Sequence, residues 1–168
     1  MTFTLVVADT GPLIHLDELD CLDILADFKE ILIPPTVRDE IAKHRPGILQ
    51  RRDIPLVIRK DVPDHPKIPP LYTLYTLHQG ESEALALCAD HPESLLLTDD
   101  TAARLAAQSL GLQARGTLGL LLRAIRRHTR TRNDILELLS AIPSRSTLHI
   151  RPALLARVME EVRQLPND

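Results

Sequence analysis

Short apolar runs alternate with amphipathic stretches along the whole chain. Phe3 to Ala8 (FTLVVA) predicts a buried strand that stops at Asp9. Gly11-Pro12 reads as a turn, and LIHLDELDCLDILADF carries Leu13, Leu16, Leu19 and Leu22 at helical spacing. Glu30 to Ile33 predicts a second strand closed by Pro34-Pro35, and Thr36 is a good N-cap for a helix through Lys43. Ile54 to Arg59 reads as another short strand, followed by an irregular, proline-dense connection, VPDHPKIPP. Helices are expected over Tyr72 to Leu77 and, after a break at Gly80, over Glu81 to Ala89. Ser94 to Thr98 (SLLLT) is a third strong strand ending at Asp99-Asp100. An alanine-rich helix over Ala102 to Leu110 stops at Gly111, and Leu112 to Arg115 is a short strand. Leu118, Leu121, Leu122 and Ile125 put an amphipathic helix over Thr117 to His128. Helices over Asp134 to Ile142 and Pro152 to Leu165 complete the chain. Strands alternating with helices imply an α/β domain with a mainly parallel central sheet.

Composition narrows this picture. The chain has 168 residues, 44% of them hydrophobic, so it can bury a real core. Aromatics are 2%, with no Trp, so the core is aliphatic and a base-stacking platform is disfavoured. Two cysteines, Cys21 and Cys88, each among apolar residues, read as buried thiols of a cytoplasmic protein. No apolar run reaches the ~18 residues of a membrane span, and MTFTLVVADTGP lacks the basic start of a signal peptide.

Carboxylates supply the candidate chemistry. In open parallel sheets, ligands bind beyond the carboxyl ends of the strands. Asp9 follows one predicted strand, and Asp99 and Asp100 follow another. An Asp in that place also caps the next helix, so each has a purely structural reading as well. Glu40 lies three positions after Val37 and next to Ile41, within or beside an apolar helix face, where an unpaired carboxylate is costly. A salt bridge to a nearby Arg or Lys is the structural alternative. Glu81 and Glu83 open the helix after Gly80, but they point roughly 200° apart, and the spacing does not choose which faces the sheet edge. Gathered carboxylates repel one another, and a hard divalent cation, Mg2+ or Mn2+, removes that penalty. The seven histidines show no H-x-x-x-H or H-x-H spacing, which leaves a zinc hydrolase poorly supported, and the common phosphate-loop, dinucleotide and serine-hydrolase motifs are missing.

From Thr101 to Asn133 there is no acidic residue, while Arg104, Arg115, Arg123, Arg126, Arg127, Arg130 and Arg132 fall in that stretch. The arginines on the Thr117 to His128 helix avoid its leucine face. An exposed stripe suited to phosphate contact is expected from Arg123, Arg126 and Arg127, with a solvated helix face as the simpler alternative.

Taken together, Asp9-Thr10, Glu40, Gly80-Glu81-Ser82-Glu83-Ala84 and Thr98-Asp99-Asp100, in that order, resemble a PIN domain. The stretches DTGPLIHL, GESEALALC, LLLTDD and GTLGLLL are similar to a prokaryotic PIN branch that includes VapC-like toxins, and the likeness covers about Thr4 to Leu122. The resemblance implies a three-layer α/β sandwich, here as one domain over residues 1–168 with 123–168 as a helical extension. It also implies a Mg2+- or Mn2+-dependent endoribonuclease. Carried over by position, Asp9 and Glu40 are the first two acidic ligands and Glu83 is similar to the third, with Glu81 as a second acid beside it. Asp99 or Asp100 is similar to the fourth. Thr10 would work near the metal or an incoming phosphate. RNA is the implied substrate, and a cognate antitoxin and a homodimer are the implied partners. A PIN-like fold without activity, binding RNA or a partner, is the main rival. A phosphate-receiver domain would need its acidic pair after the first strand and a late lysine, whereas Lys67 is the last one.

Overall fold

The computed structural model describes residues 3–166. Five strands form one all-parallel sheet in the order β3-β2-β1-β4-β5, with β1 at Leu5–Ala8, β2 at Glu30–Ile33, β3 at Leu56–Ile58, β4 at Leu95–Leu97 and β5 at Gln113–Arg115. Val6 pairs with Ile31 on one side and Leu95 on the other, so β1 is the innermost strand. Its near-unbroken apolar sequence suits a strand buried on both faces.

The two-residue period of the strands sorts the core into two clusters. Val6, Ala8, Ile31, Ile33, Leu95 and Leu97 point to one face, where they meet α1 (Thr10–Glu18), α2 (Pro35–His44), α6 (Thr117–Arg126), α7 (Arg132–Arg145) and α8 (Pro152–Arg163). Val7, Leu32 and Leu96 point to the other, against α3 (Ile68–Tyr75), α4 (Gln79–Asp90) and α5 (Thr101–Ser109). This is the expected three-layer sandwich. Ile135, Leu139, Ile142, Leu155, Val158 and Val162 of α7 and α8 lie in the same cluster as Leu13 and Leu121. Both cysteines are free and buried, and burial pushes each thiol up to about 12.

Helix starts differ most from expectation. Gly11-Pro12 is not a turn. Asp9 caps α1, so Pro12 falls in the first helical turn, where its missing N–H costs nothing. The long helix expected after it breaks at Asp20, whose φ is 54°, and Leu22–Leu25 continues as a short 3-10 helix. Gly80 likewise sits inside the first turn of α4, and part of the proline-dense stretch becomes the start of α3.

Candidate active site

The chain leaves β1 toward β2 and later returns to β1's other edge as β4. That reversal of strand order opens a crevice at the carboxyl ends of β1 and β4. Asp9 stands in it. Its amide donates to Leu97 O at 2.9 Å, its Oδ1 accepts the Thr10 amide at 2.8 Å, and its Oδ2 accepts the Thr98 hydroxyl at 3.0 Å. Asp9 is buried, and its pKa is pushed up to about 6. Burial is the main cause; the charges of Glu81 and Glu40 add to it, against the Thr10 and Thr98 hydrogen bonds.

Three more elements bring carboxylates to Asp9. Glu40 comes from α2, and its Oε2 accepts the Thr10 hydroxyl. A Cβ on Gly80 would lie 3.2 Å from Val37 Cγ2 and 3.7 Å from Glu40 Oε2, so only glycine lets α4 approach α2 this closely without displacing a neighbour. Glu81 is buried and accepts the His78 amide at 2.8 Å, closing the first turn of α4. Asp100 caps α5 through the Ala103 amide at 2.8 Å. Asp99 is spent differently. Its Oδ2 meets His15 Nδ1 and the Thr117 hydroxyl, each at 2.6 Å, and its Oδ1 accepts the Thr117 amide at 2.6 Å. Burial alone would raise its pKa, but these partners outweigh burial and hold the carboxyl below its usual range. The cleft between these groups has a volume of about 390 Å³. Its remaining wall is the segment after α7, Thr147 to His149, which Glu18 ties to the end of α1 by accepting the Thr147 amide at 3.0 Å and hydroxyl at 2.9 Å.

Asp9, Thr10, Glu40, Glu81, Asp99 and Asp100 therefore line one cleft. Two expectations need correction. Glu83 faces away from it: its two oxygens accept the amide and hydroxyl of Thr36, each at 2.8 Å, so the acid that the cleft takes from this helix is Glu81. The arginine stripe is also broken. Arg123 is buried, pairs bidentately with Asp27 at 2.8 Å and lies 4.1 Å over the Phe28 ring, while Arg127 shares the same Asp27 at 3.1 Å. Arg126 stays exposed. The acidic partners exist but lie almost a hundred residues upstream. His15, His78, Thr117 and the Thr147 to His149 wall escaped the sequence reading; GT after a short strand was the signal for Thr117, and nothing local marks the wall.

An acidic cleft at the switch point of a parallel sheet is where an α/β protein of this architecture places its ligand. The sequence matches the PIN domain family over residues 5–164, and the chain belongs to that family, a nuclease fold. It is also similar in structure to a PilT N-terminus domain protein of the hyperthermophilic archaeon Sulfolobus solfataricus P2, with a TM-score of 0.52 at 18% identity, over 72% of this chain and 93% of that one. No curated protein matches the sequence. No helix among the described residues is long and apolar enough to cross a membrane.

The donor chemistry fits a hard divalent cation: Asp9, Glu40, Glu81 and Asp100 offer only oxygen, and a cation would offset both the burial of the Asp9 charge and its repulsion by Glu81 and Glu40. Among the described residues, no three such side chains already converge as a ligand set. Each is held by its own helix end or by Thr10, so binding requires carboxylate rotation.

Proposed function

We propose that this protein is a Mg2+- or Mn2+-dependent endoribonuclease. The observation that carries the reading is Asp9, a buried carboxylate kept at the mouth of the sheet with Glu40 and Glu81 close enough to raise its pKa. A fold gains nothing from crowding acids there, whereas a phosphodiesterase needs them. Asp9, Glu40, Glu81 and Asp100 would hold the cation, which supplies an activated water and neutralises charge on the phosphate. The Thr10 hydroxyl orients Glu40, and Asp99, locked by His15 and Thr117, fixes the β4–α5 turn that carries Asp100.

Purified protein should cleave labelled single-stranded RNA with Mg2+ or Mn2+, stop in chelator, and lose cleavage in Asp9→Asn. A second reading, an inactive PIN fold that binds RNA or a partner, draws on the lack of a ready-made ligand set among the described residues. No cleavage by either protein favours it, whereas cleavage by Asp9→Asn at the wild-type rate shows a nuclease that does not use this site.

We further read the protein as the cytoplasmic toxin of a toxin-antitoxin pair, a homodimer restrained by a cognate antitoxin that covers the cleft. The VapC-like stretches in the sequence support this, and so does the harm a free ribonuclease does to its own cell. Induced expression should arrest growth, and Asp9→Asn should not.

A further inference from the structure

Of the seven arginines between Thr101 and Asn133, four are occupied. Arg123 and Arg127 share Asp27, Arg130 pairs with Asp23 at 2.6 Å, and Arg132 donates to the carbonyls of Arg163 and Leu165. The guanidinium groups of Arg104, Arg115 and Arg126 have no hydrogen bond or ion pair among the described residues. Two of these three start beside the strand end that carries Asp99, outside the lining of the cleft itself. Arg115 ends β5, and its carbonyl accepts the Thr98 amide at 2.9 Å, beside the end of β4. Gly116 follows, and a Cβ there would lie 2.5 Å from Asp99 Oδ1 and 3.6 Å from Arg104 Nη1. The Arg104 guanidinium is thus a close neighbour of a cleft carboxylate whose oxygens His15 and Thr117 already fill. The aliphatic stem of Arg115 lies along Gly119, its Cβ 3.6 Å from where a side chain would begin. Burial and the charges of Arg126 and Arg123 push the Arg115 pKa down, and among the described residues no carboxylate pairs with Arg115.

We propose that Arg104 and Arg115 grip the phosphodiester backbone of single-stranded RNA at the Asp99 side of the cleft. The assignment rests on the nuclease reading above and gives it the substrate contact that the broken stripe does not. Guanidinium forks match phosphate oxygens bidentately. Cations on the first turn of α5, the end of β5 and the end of α6 suit a polyanion better than one small anion. Acids alone would repel RNA, so a cleft that takes a phosphodiester needs such cations at its rim.

The test is fluorescence anisotropy of labelled single-stranded RNA with the full chain in chelator, titrated across salt concentrations. Arg104→Ala and Arg115→Ala should each weaken binding about fivefold to tenfold at low salt. Each should also flatten the plot of log affinity against log salt by about 0.7. Arg104→Gln and Arg115→Gln, which keep the stem, should do the same, and Arg157→Ala on α8 should change neither quantity. Wild-type affinity and slope in the folded Gln variants, or no RNA binding by the wild type, overturns the assignment. Cleavage reads out separately. Arginine-dependent binding without any metal-stimulated cleavage sinks the nuclease reading and keeps this one, whereas cleavage indifferent to both arginines does the reverse.

Discussion

Glu83 of α4 caps α2 from across the domain, accepting the Thr36 amide and hydroxyl at 2.8 Å each. Pro34 and Pro35 give α2 no side-chain cap of its own, so a carboxylate forty-seven positions later satisfies its first turn. Glu83→Ala should therefore lower stability by about 1–2 kcal/mol, the usual loss for a helix cap, while leaving activity per folded molecule near wild type. Glu81→Gln should do the opposite. Denaturant melts paired with single-turnover RNA cleavage separate the two, and equal loss of activity in both variants would return Glu83 to the site.

Asp9 sets a pH dependence with a definite sign. Its folded pKa is about 6, above its ordinary value of 3.8, so the folded state holds the proton more tightly. Asp9 therefore costs stability once ionised, above about pH 6, and that cost fades as pH falls toward 4. In chelator at pH 7.5, Asp9→Asn should melt a few degrees above wild type, and the gap should close through that window. Added Mg2+ should raise only the wild-type melting temperature. A gap that does not change with pH would mean that folding does not raise the Asp9 pKa.

Arg123 is buried over Phe28 and pairs with Asp27, an exposed residue. Arg123→Ala leaves Asp27 with half-exposed Arg127 alone and should cost about 1–2 kcal/mol, between exposed and buried pairs, because Asp27 stays hydrated while Arg123 loses its packing on Phe28. Arg127→Ala should cost about 0–1 kcal/mol. Burial raises the Asp27 pKa, but both arginines outweigh it and hold the carboxyl below its usual value. The stabilisation is thus present above pH ~4 and lost as pH falls through the folded pKa. Urea melts at pH 7 and pH 3 should show the variant gap shrinking in acid.

Glu18 fastens the wall opposite the acids through the Thr147 amide and hydroxyl. Glu18→Ala should free residues 146–150 and speed tryptic cleavage after Arg145 several-fold, with little change in melting temperature. It should also raise the KM for RNA more than it lowers kcat, since the wall shapes the cleft and carries none of its carboxylates. Unchanged proteolysis would show that Leu148 and Ile150, packed on the core, hold the segment alone.

The central strands were legible because buried parallel strands are short apolar runs, as LVVA, ILI and LLL are. The acids at their ends followed from the same runs. Helix starts were harder: Asp9 signals a cap and Pro12 a stop, and the first-turn tolerance for proline decides between them. Choosing Glu81 over Glu83 needed the packing of α4 on α2, which Gly80 permits and no periodicity encodes. Arg123 was misread because its partner, Asp27, lies far upstream, so an acid-free stretch looked unpaired when the fold had already paired it.

The strand order has a consequence for synthesis. The innermost strand is the first made, and one of its two edges stays bare until Leu95–Leu97 emerges. Asp9 and Glu40 are present early, yet Thr98, which holds Asp9, and Thr117, which locks Asp99, come much later. If the protein is the ribonuclease proposed above, a nascent chain thus carries its carboxylates disarmed while that part of it is still on the ribosome. On the proposed function, fragments released before Thr117 should be inert, and the site would be armed only once β4, β5 and the start of α6 have been made.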